Sequence, residues 1–134
     1  LTTIHYEADI LTTDVPTASG RVYPREVMER AVLDYQKRVA NHTAFGELGP
    51  TYESVTHQSL DNVSHVITKA ELQGNVVHVT TTSVQTPAGN RLVGLIEAGA
   101  VELQLAGRGS VTDGRVNDDY TIQSIDFVSV PPAT

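Results

Sequence analysis

The stretch "NVSHVITKAELQGNVVHVTTTSV", residues Asn62 to Val84, decides the fold because it holds two extended runs joined by a tight turn. Val and Thr, which favour strands, are abundant in both runs. Between the runs lies Gln73-Gly74-Asn75, and a Gly-Asn centre is typical of a β-hairpin. The stretch therefore predicts an antiparallel strand pair near the middle of the chain.

Helical periodicity lies on both sides of this hairpin. Upstream, "YPREVMERAVLDYQKRVANH" (residues 23–42) has apolar residues at helical spacing, and Pro24 suits a first helical turn. Downstream, "TPAGNRLVGLIEAGA" (residues 86–100) predicts a shorter helix that ends at Gly99. The apolar residues that define the two patterns are Val27, Met28, Ala31, Val32, Tyr35 and Val39 in the first helix, and Leu92, Val93, Leu95 and Ile96 in the second.

Further strands are predicted near both ends of the chain. Residues 1–11 alternate in polarity, residues 43–54 have the pattern of a strand end and a loop, and Val101–Ala106 alternates again. A last strand covers residues 120–130 and is stopped by Pro131-Pro132. Because the two helices are separated by hairpin-like strands, we expect an α+β fold, a mainly antiparallel sheet or small barrel with two packed helices. The length of 134 residues, without repeats or linkers, predicts a single domain over residues 1–134.

Composition excludes several classes of partner and chemistry. The formal net charge is −7, and there is no cluster of Lys and Arg, so we expect neither nucleic acid nor an anionic membrane surface as a partner. No apolar run approaches the roughly 18 residues of a membrane span. The chain has no cysteine, which excludes disulfides, thiolate metal sites and a cysteine nucleophile.

The histidines and the glycine-flanked arginine suggest no cofactor. The histidines show no HExxH or HxH spacing and no evident carboxylate partner, so no metal site is predicted. Gly107-Arg108-Gly109 lacks the Lys-Ser/Thr of a phosphate-binding loop, so no nucleotide site is predicted. The structural alternative is that Gly107 and Gly109 supply either positive φ or a bulge, and that Arg108 lies on the surface. The five histidines are His5, His42, His57, His65 and His78.

Carboxylates and serines give no specific constellation. Glu47 and Asp118-Asp119 are the candidates for a carboxylate pair, but we expect the aspartates to lie in a solvated turn. Ser64 precedes His65, and adjacent strand residues point to opposite faces, which predicts that the two form no dyad. From the residues alone the chain is an α+β domain whose activity stays open.

Five segments, taken together and in order, resemble the prohead (capsid maturation) proteases of tailed bacteriophages, a family related in fold to the herpesvirus assembly proteases (assemblins). The resemblance implies an assemblin-like α+β fold over nearly the whole chain. The segments are "SGRVYPREVMERAVLDYQ" (19–36), "FGELGP" (45–50), "LDNVSHVITKAELQGNVV" (60–77), "TPAGNRLVGLIEAGAVELQLAGRGSV" (86–111) and "IDFVSVPPA" (125–133).

The chain departs from the family's pattern at the catalytic positions. In active members a His follows the Gly-Glu-Leu segment just before Pro, whereas here Leu48 is followed by Gly49-Pro50. The nucleophilic Ser of the family precedes its Arg-Gly by two residues, and that place holds Ala106. The resemblance thus implies former-site positions without catalytic residues: Ala106, Gly107, Arg108, Gly109, Gly49, Pro50 and the Val-Ser-His histidine, His65.

The resemblance implies three alternative roles. The first is an inactive structural or assembly protein of a phage head, such as a capsid decoration protein. It would be assembled in the host cytoplasm, stay in the virion, bind capsid or scaffold proteins, and be an oligomer or capsid-bound. The second is a maturation serine protease in an inactivated form, whose base would come from His57 or His65. The third is an inactive subunit that regulates an active protease subunit. Ser110 lies four residues beyond Ala106 and is not expected to replace the nucleophile.

Overall fold

The computed structural model describes residues 3–50 and 59–130. Within these ranges it contains eight strands, two α-helices and a short 3₁₀ helix at Leu60–Asn62. The elements in chain order are β1 (His5–Thr12), α1 (Arg25–Ala40), β2 (Phe45–Glu47), β3 (Val63–Gln73), β4 (Val76–Ser83), α2 (Pro87–Glu97), β5 (Val101–Arg108), β6 (Val111–Thr112), β7 (Arg115–Val116) and β8 (Thr121–Ser129). The predicted strand stop at Pro131-Pro132 lies outside the described residues.

The strands form one open arrangement in which β8 has a central place. Antiparallel pairing gives a four-stranded sheet in the order β1-β4-β3-β2 and a separate β5-β8 pair. A parallel bridge between Leu48 and Phe127 joins the two, so that β8 lies between β2 and β5. In the described part of the chain no strand pairing connects β1 with β5. The predicted mainly antiparallel α+β fold is therefore confirmed in its sheet form, and the alternative of a closed barrel is not observed.

The central hairpin forms where the sequence predicts it. Gln73 pairs with Val76, so Gly74 and Asn75 form a two-residue turn. Gly74 has a φ of +62°, a conformation that costs a glycine little because it has no Cβ. The carbonyl oxygen of Asn75 accepts a hydrogen bond of 2.7 Å from the backbone N–H of Thr13. This bond ties the hairpin tip to the residue that follows β1.

Helix α1 covers one face of the strands with the predicted apolar stripe. Its buried residues include Met28, Val32 and Tyr35, which recur at helical spacing. Two polar side chains fix the helix to neighbouring backbone: Gln36 donates to the Ala70 carbonyl at 2.7 Å, and Arg38 donates to the Gln123 carbonyl at 2.6 Å. These bonds anchor α1 to β3 and to β8.

Helix α2 also confirms its prediction. The Thr86 hydroxyl caps its first turn by accepting from the Gly89 N–H at 2.9 Å, and it donates to the Val63 carbonyl at 2.7 Å. Gly99, with a φ of +69°, follows the helix end. Of the described helices, neither is long and apolar enough to cross a membrane. The core between helices and strands includes the fully buried Met28, Ile67, Val77, Leu92, Ile125 and Phe127.

Candidate functional site

Ala106 lies near the end of β5, directly opposite Ser124 of β8. Directly opposed residues of an antiparallel pair share a face, so Ala106 is on the face of Ser124, and Gln104 is on that of Asp126. The pairing then shifts, because Gly107 faces Ile122 and leaves one extra residue in β8, a β-bulge. Position 106 therefore has a defined and partly exposed place in the sheet, but its methyl group supplies no nucleophile.

Gly107 and Gly109 are explained by their packing against Tyr120. Neither glycine has a positive φ, so that part of the sequence interpretation is wrong, whereas the predicted bulge is confirmed. A Cβ on Gly107 would overlap the ring and hydroxyl of Tyr120, and a Cβ on Gly109 would lie 2.8 Å from its Cα. Arg108 is on the surface, as predicted. The two glycines allow a buried tyrosine to lie against the end of β5.

Ser110 is part of a hydrogen-bonded turn. Its backbone N–H donates to the Asp119 carboxylate at 2.9 Å, and its hydroxyl donates to the same group at 3.1 Å. The Asn117 amide donates to the Ser110 hydroxyl at 2.9 Å. The Ser110 N–H lowers the pKa of the Asp119 carboxyl, and the Ser110 hydroxyl lowers it further. The Ser110 hydroxyl thus bonds to Asp119 and Asn117 within the turn between β5 and β8.

Gly49 and Pro50 lie beside β8 on the side opposite to β5. The Gly49 N–H donates to the Phe127 carbonyl at 2.8 Å, whereas Ala106 pairs with Ser124 from the other side. Their partners on β8 are Ser124 for Ala106 and Phe127 for Gly49, which are three residues apart along the strand. The structure therefore does not bring these two former-site positions within hydrogen-bonding reach. Gly49 has a φ of +60°, which favours glycine at this point of the chain.

His65 is fully buried, and both of its ring nitrogens are engaged. Its Nε2 lies 2.8 Å from the Ile125 carbonyl oxygen, and its Nδ1 lies 2.8 Å from the Ser64 hydroxyl. A carbonyl only accepts, so Nε2 carries the proton and Nδ1 accepts from Ser64. The ring also stands edge-on to Phe127 at a centroid distance of 4.8 Å. The one basic nitrogen of His65 therefore faces Ser64 inside the core.

The hydrogen bond between Ser64 and His65 overturns the expectation that the two side chains point apart. Gly46 pairs with His65, and Glu47 pairs with Val63, so Ser64 is an extra residue in β3. Such a bulge interrupts the alternation of faces, and Ser64 and His65 are both buried. Burial lowers the pKa of His65 to about 4, so the ring is neutral at pH 7. This Ser–His pair has no solvent access and hence no route to a substrate.

Asp126 links the end of β2 to β8. Its carboxylate accepts from the backbone N–H of Glu47 at 2.9 Å and from the Ser124 hydroxyl at 2.6 Å. Burial raises the pKa of Asp126, and the hydrogen bonds from Ser124 and Glu47 partly oppose that shift. Sequence reasoning missed this role, although one signal was present: an acidic residue stands inside the otherwise apolar run Ile125–Val128.

The candidate carboxylate pair does not form. Glu47 is buried at the end of β2, whereas Asp118 and Asp119 are exposed, as predicted, in the turn before β8. Asp118 is 3.2 Å from the Arg30 guanidinium, and Asp119 caps the Ser110 turn. Asp118 and Asp119 therefore make separate local contacts, and neither forms a pair with Glu47.

The remaining described histidines are distributed over the surface. His5 lies 3.0 Å from the Thr82 hydroxyl, and His42 follows α1 in an exposed turn. His78 contacts Asp9 at 2.7 Å, which raises its pKa, so the expectation that no histidine has a carboxylate partner is wrong. Among residues 3–50 and 59–130, no three His, Asp or Glu side chains are arranged to hold a metal. His57 lies outside these residues.

Comparisons with known proteins agree with this architecture. A sequence model of the family described as prohead core protein serine protease matches residues 2–129. The solved structure of the bacteriophage T4 capsid assembly protease, gp21, is similar, with 26% identity and a TM-score of 0.85. The match covers 95% of this chain and 82% of the T4 chain. Comparison with curated proteins gave no significant match.

Proposed function

This chain belongs to the prohead core protein serine protease family, and we propose that it is a catalytically inactive member that acts as a structural or assembly protein of a tailed-phage head. The observation that carries the proposal is the alanine at position 106 on β5, where the resemblance places the family's nucleophilic serine. Acyl transfer by a serine protease needs a hydroxyl and a base within hydrogen-bonding distance of it. Position 106 supplies no hydroxyl.

The surroundings of position 106 support the same proposal. The resemblance places the family's histidine at Gly49, which cannot act as a base and which lies across β8 from Ala106. The His65 ring is hydrogen-bonded to the Ile125 carbonyl and the Ser64 hydroxyl, and Ser110 is hydrogen-bonded to the Asp119 carboxylate. Among the described residues, these two candidates for a replacement base and nucleophile are thus engaged in other contacts. We assign this protein a binding role, with capsid or scaffold proteins as its partners and the phage head as its location.

The alternative is a maturation protease that has been inactivated by a single change at position 106. It would cleave scaffold and capsid proteins by a Ser–His mechanism. The burial of His65 counts against it, because a general base must be within reach of the proton that it abstracts, and the basic nitrogen of His65 faces Ser64 in the core. The alternative would then require His57, which lies in the segment outside the described residues.

A serine-reactive fluorophosphonate probe distinguishes the inactive structural protein from the inactivated protease. We expect no labelling of the natural chain and none of Ala106→Ser, because restoring the hydroxyl does not restore a base. Gln104→Ser is the matched control, since residue 104 lies two positions earlier on the same face of β5. Labelling of the natural chain that disappears when one serine is changed would overturn the proposal. Labelling of Ala106→Ser alone would favour the inactivated protease.

The location of the protein tests the structural role independently. Mass spectrometry of purified virions should detect the intact chain in a defined number of copies per particle. Its absence from mature heads, together with co-purification of an active protease subunit from infected cells, would instead favour the regulatory subunit.

A further inference from the structure

The turn between β6 and β7 contains the only Asp-Gly pair in the sequence, Asp113-Gly114. Thr112 pairs with Arg115, so Asp113 and Gly114 form a two-residue turn, with φ angles of +50° and +80°. Asp-Gly is favoured in such turns because both central residues adopt positive φ. Both residues are exposed to solvent. The turn therefore places a carboxylate and the amide nitrogen of the next residue together at the surface.

The two reactive groups of this turn are unengaged in the described part of the chain. The Asp113 carboxylate and the Gly114 N–H make no hydrogen bond or ion pair with another residue in the ranges 3–50 and 59–130. The Gly114 carbonyl, by contrast, accepts a hydrogen bond of 2.7 Å from the Val22 N–H. Since glycine has no Cβ, no side chain shields its nitrogen from the carboxyl carbon of Asp113. The two groups can therefore react with each other when the backbone of Asp113 rotates.

We propose that Asp113 is a modification site at which the chain isomerises spontaneously to isoaspartate. The Gly114 nitrogen attacks Cγ of the protonated Asp113 carboxyl, an N–Cγ bond forms, and the carboxyl hydroxyl leaves with the amide proton as water. Water then opens the resulting cyclic imide. Attack at Cγ restores aspartate, whereas attack at the α-carbonyl breaks the original peptide bond and leaves the chain linked through Cγ. The isoaspartyl product has the same mass, one additional methylene in the backbone and a free α-carboxylate.

The hairpin around the turn is short enough to open. The rotation of Asp113 that imide formation needs disrupts the turn, and β6 and β7 have only two residues each. Of these, Val111, Thr112 and Arg115 are exposed, whereas Val116 is buried. A two-stranded hairpin is marginally stable by itself, and exposed segments with few buried contacts open at little cost in free energy. We therefore expect the fold to slow the reaction only modestly.

The modification acts on the joint between this hairpin and the entry to α1. Val22 donates to the Gly114 carbonyl at 2.7 Å and accepts from the Val116 N–H at 2.9 Å, so the hairpin holds it through both backbone groups. An extra methylene before Gly114 displaces the carbonyl and weakens the first of these bonds. A virion does not renew its proteins, so isoaspartate would accumulate in it. This last consequence rests on the function proposed above, whereas the chemistry rests on the turn alone.

Ageing of the full chain at neutral pH and physiological temperature tests the site. Trypsin releases residues 109–115 (GSVTDGR), in which Asp113 is the only Asp or Asn, and chromatography separates the isoaspartyl form from the aspartyl form of equal mass. Peptide 116–134 is the internal control, because each of its three aspartates precedes a residue with a side chain. We expect an isoaspartyl fraction at least about tenfold larger in the first peptide. Equal fractions, or none in either peptide, would overturn the proposal.

Two substitutions at position 113 test the chemistry itself. Asp113→Glu keeps the charge but would need a larger imide ring, so the rearranged fraction of peptide 109–115 should fall at least about tenfold, whereas Asp113→Asn should raise it at least about fivefold because a neutral amide is a better electrophile than a carboxylate. The matched control, Asp118→Glu, changes an exposed aspartate of the next turn and should leave peptide 109–115 unaffected. Circular dichroism establishes that the variants are folded. Unchanged rearrangement in Asp113→Glu would refute imide formation at this residue.

Comparison with the free synthetic peptide GSVTDGR tests the opening of the hairpin. We expect isomerisation in the folded chain to be slower than in the free peptide by no more than about tenfold. A larger difference would show that the hairpin protects Asp113, and this would overturn the proposal. None of these outcomes depends on labelling at position 106 or on the virion content, so this inference and the proposed function can fail separately.

Discussion

The two sides of β8 differ in how deeply their residues are buried and in how their polar groups are hydrogen-bonded. On the β2 side, which comprises Gly46, Glu47, His65 and Asp126, buried polar groups are joined to backbone by hydrogen bonds. On the β5 side, which comprises Ala106 and the segment Gly107–Gly109, the residues are partly or fully exposed. The first side resembles the interior of a stable domain, and the second is an accessible surface.

This difference teaches which parts of a family pattern are structural. On the β2 side, replacing one buried partner would leave another polar group without a hydrogen bond, at a cost of about 1–3 kcal/mol. On the β5 side, an alanine at position 106 leaves the pairing with Ser124 intact. The residue type at position 106 is therefore not fixed by the fold, whereas replacement of His65 or Asp126 would destabilise it.

Gly46→Ala should have the largest effect on the β2 side. A Cβ at this position would overlap the His65 ring and the Ile125 carbonyl oxygen, neither of which can move without breaking their mutual hydrogen bond. Overpacking of this kind costs up to about 3 kcal/mol and occasionally more, so we expect a loss at or above that value. Urea unfolding measures it, and soluble yield reports it if the variant does not fold.

The matched control for that change is Gly94→Ala. Gly94 lies inside α2, and a Cβ there would meet nothing within 4 Å. Because alanine is the better helix former, this variant should be more stable than the natural chain by up to about 1 kcal/mol. Equal effects of the two substitutions would contradict the close packing of His65 against Gly46.

Acid should weaken the β2 side through His65. Above pH 6.5 the residue is neutral in both the folded and the unfolded chain, so it contributes no pH dependence. Below that pH the unfolded chain binds a proton that the folded chain refuses until its pKa of about 4, and the free energy of unfolding falls by about 3 kcal/mol across this window. The raised pKa of Asp126 acts with the opposite sign, because its folded form takes up a proton earlier.

His65→Gln isolates the contribution of the histidine. A glutamine can donate to Ile125 and accept from Ser64, but it does not titrate. The fall in unfolding free energy between pH 6.5 and 4 should be about 3 kcal/mol smaller in this variant, since the other groups titrate in both proteins. Identical pH profiles would show that His65 keeps an ordinary pKa in the fold.

The sequence predicted the elements of this fold more completely than the contacts between them. The helices at residues 25–40 and 87–97 and the hairpin at Gly74-Asn75 follow from periodicity and turn chemistry, which are local signals. The Asp126 contact with the Glu47 backbone joins positions 79 residues apart, and no local pattern encodes that distance. The family resemblance covers both segments but does not indicate the hydrogen bond between them.

Two errors of interpretation have the same physical origin. Ser64 and His65 were expected on opposite faces because strands alternate, yet a bulge opposite β2 brings their side chains together. Gly107 and Gly109 were expected to supply positive φ or a bulge, yet neither has a positive φ and both pack against Tyr120. In both cases the motif's conformation depends on a neighbour that the motif itself does not reveal. That neighbour is strand β2 for Ser64-His65 and the Tyr120 ring for the two glycines.

Gly107→Ala is the counterpart of Gly46→Ala on the β5 side. It should destabilise the protein less than Gly46→Ala or acidification does. The Cβ would overlap the Tyr120 ring and hydroxyl, which belong to a side chain, whereas a Cβ at Gly46 meets a backbone oxygen. Since the ring packs edge-on against Tyr23 at 5.5 Å, it can shift only in part, and we expect a loss of about 1–2 kcal/mol. Tyr120→Leu removes the overlapping ring, so Gly107→Ala should cost less than about 0.5 kcal/mol in that background. Urea unfolding of the four proteins gives the double-mutant cycle, and additive losses would contradict the contact because residues that do not touch show no coupling.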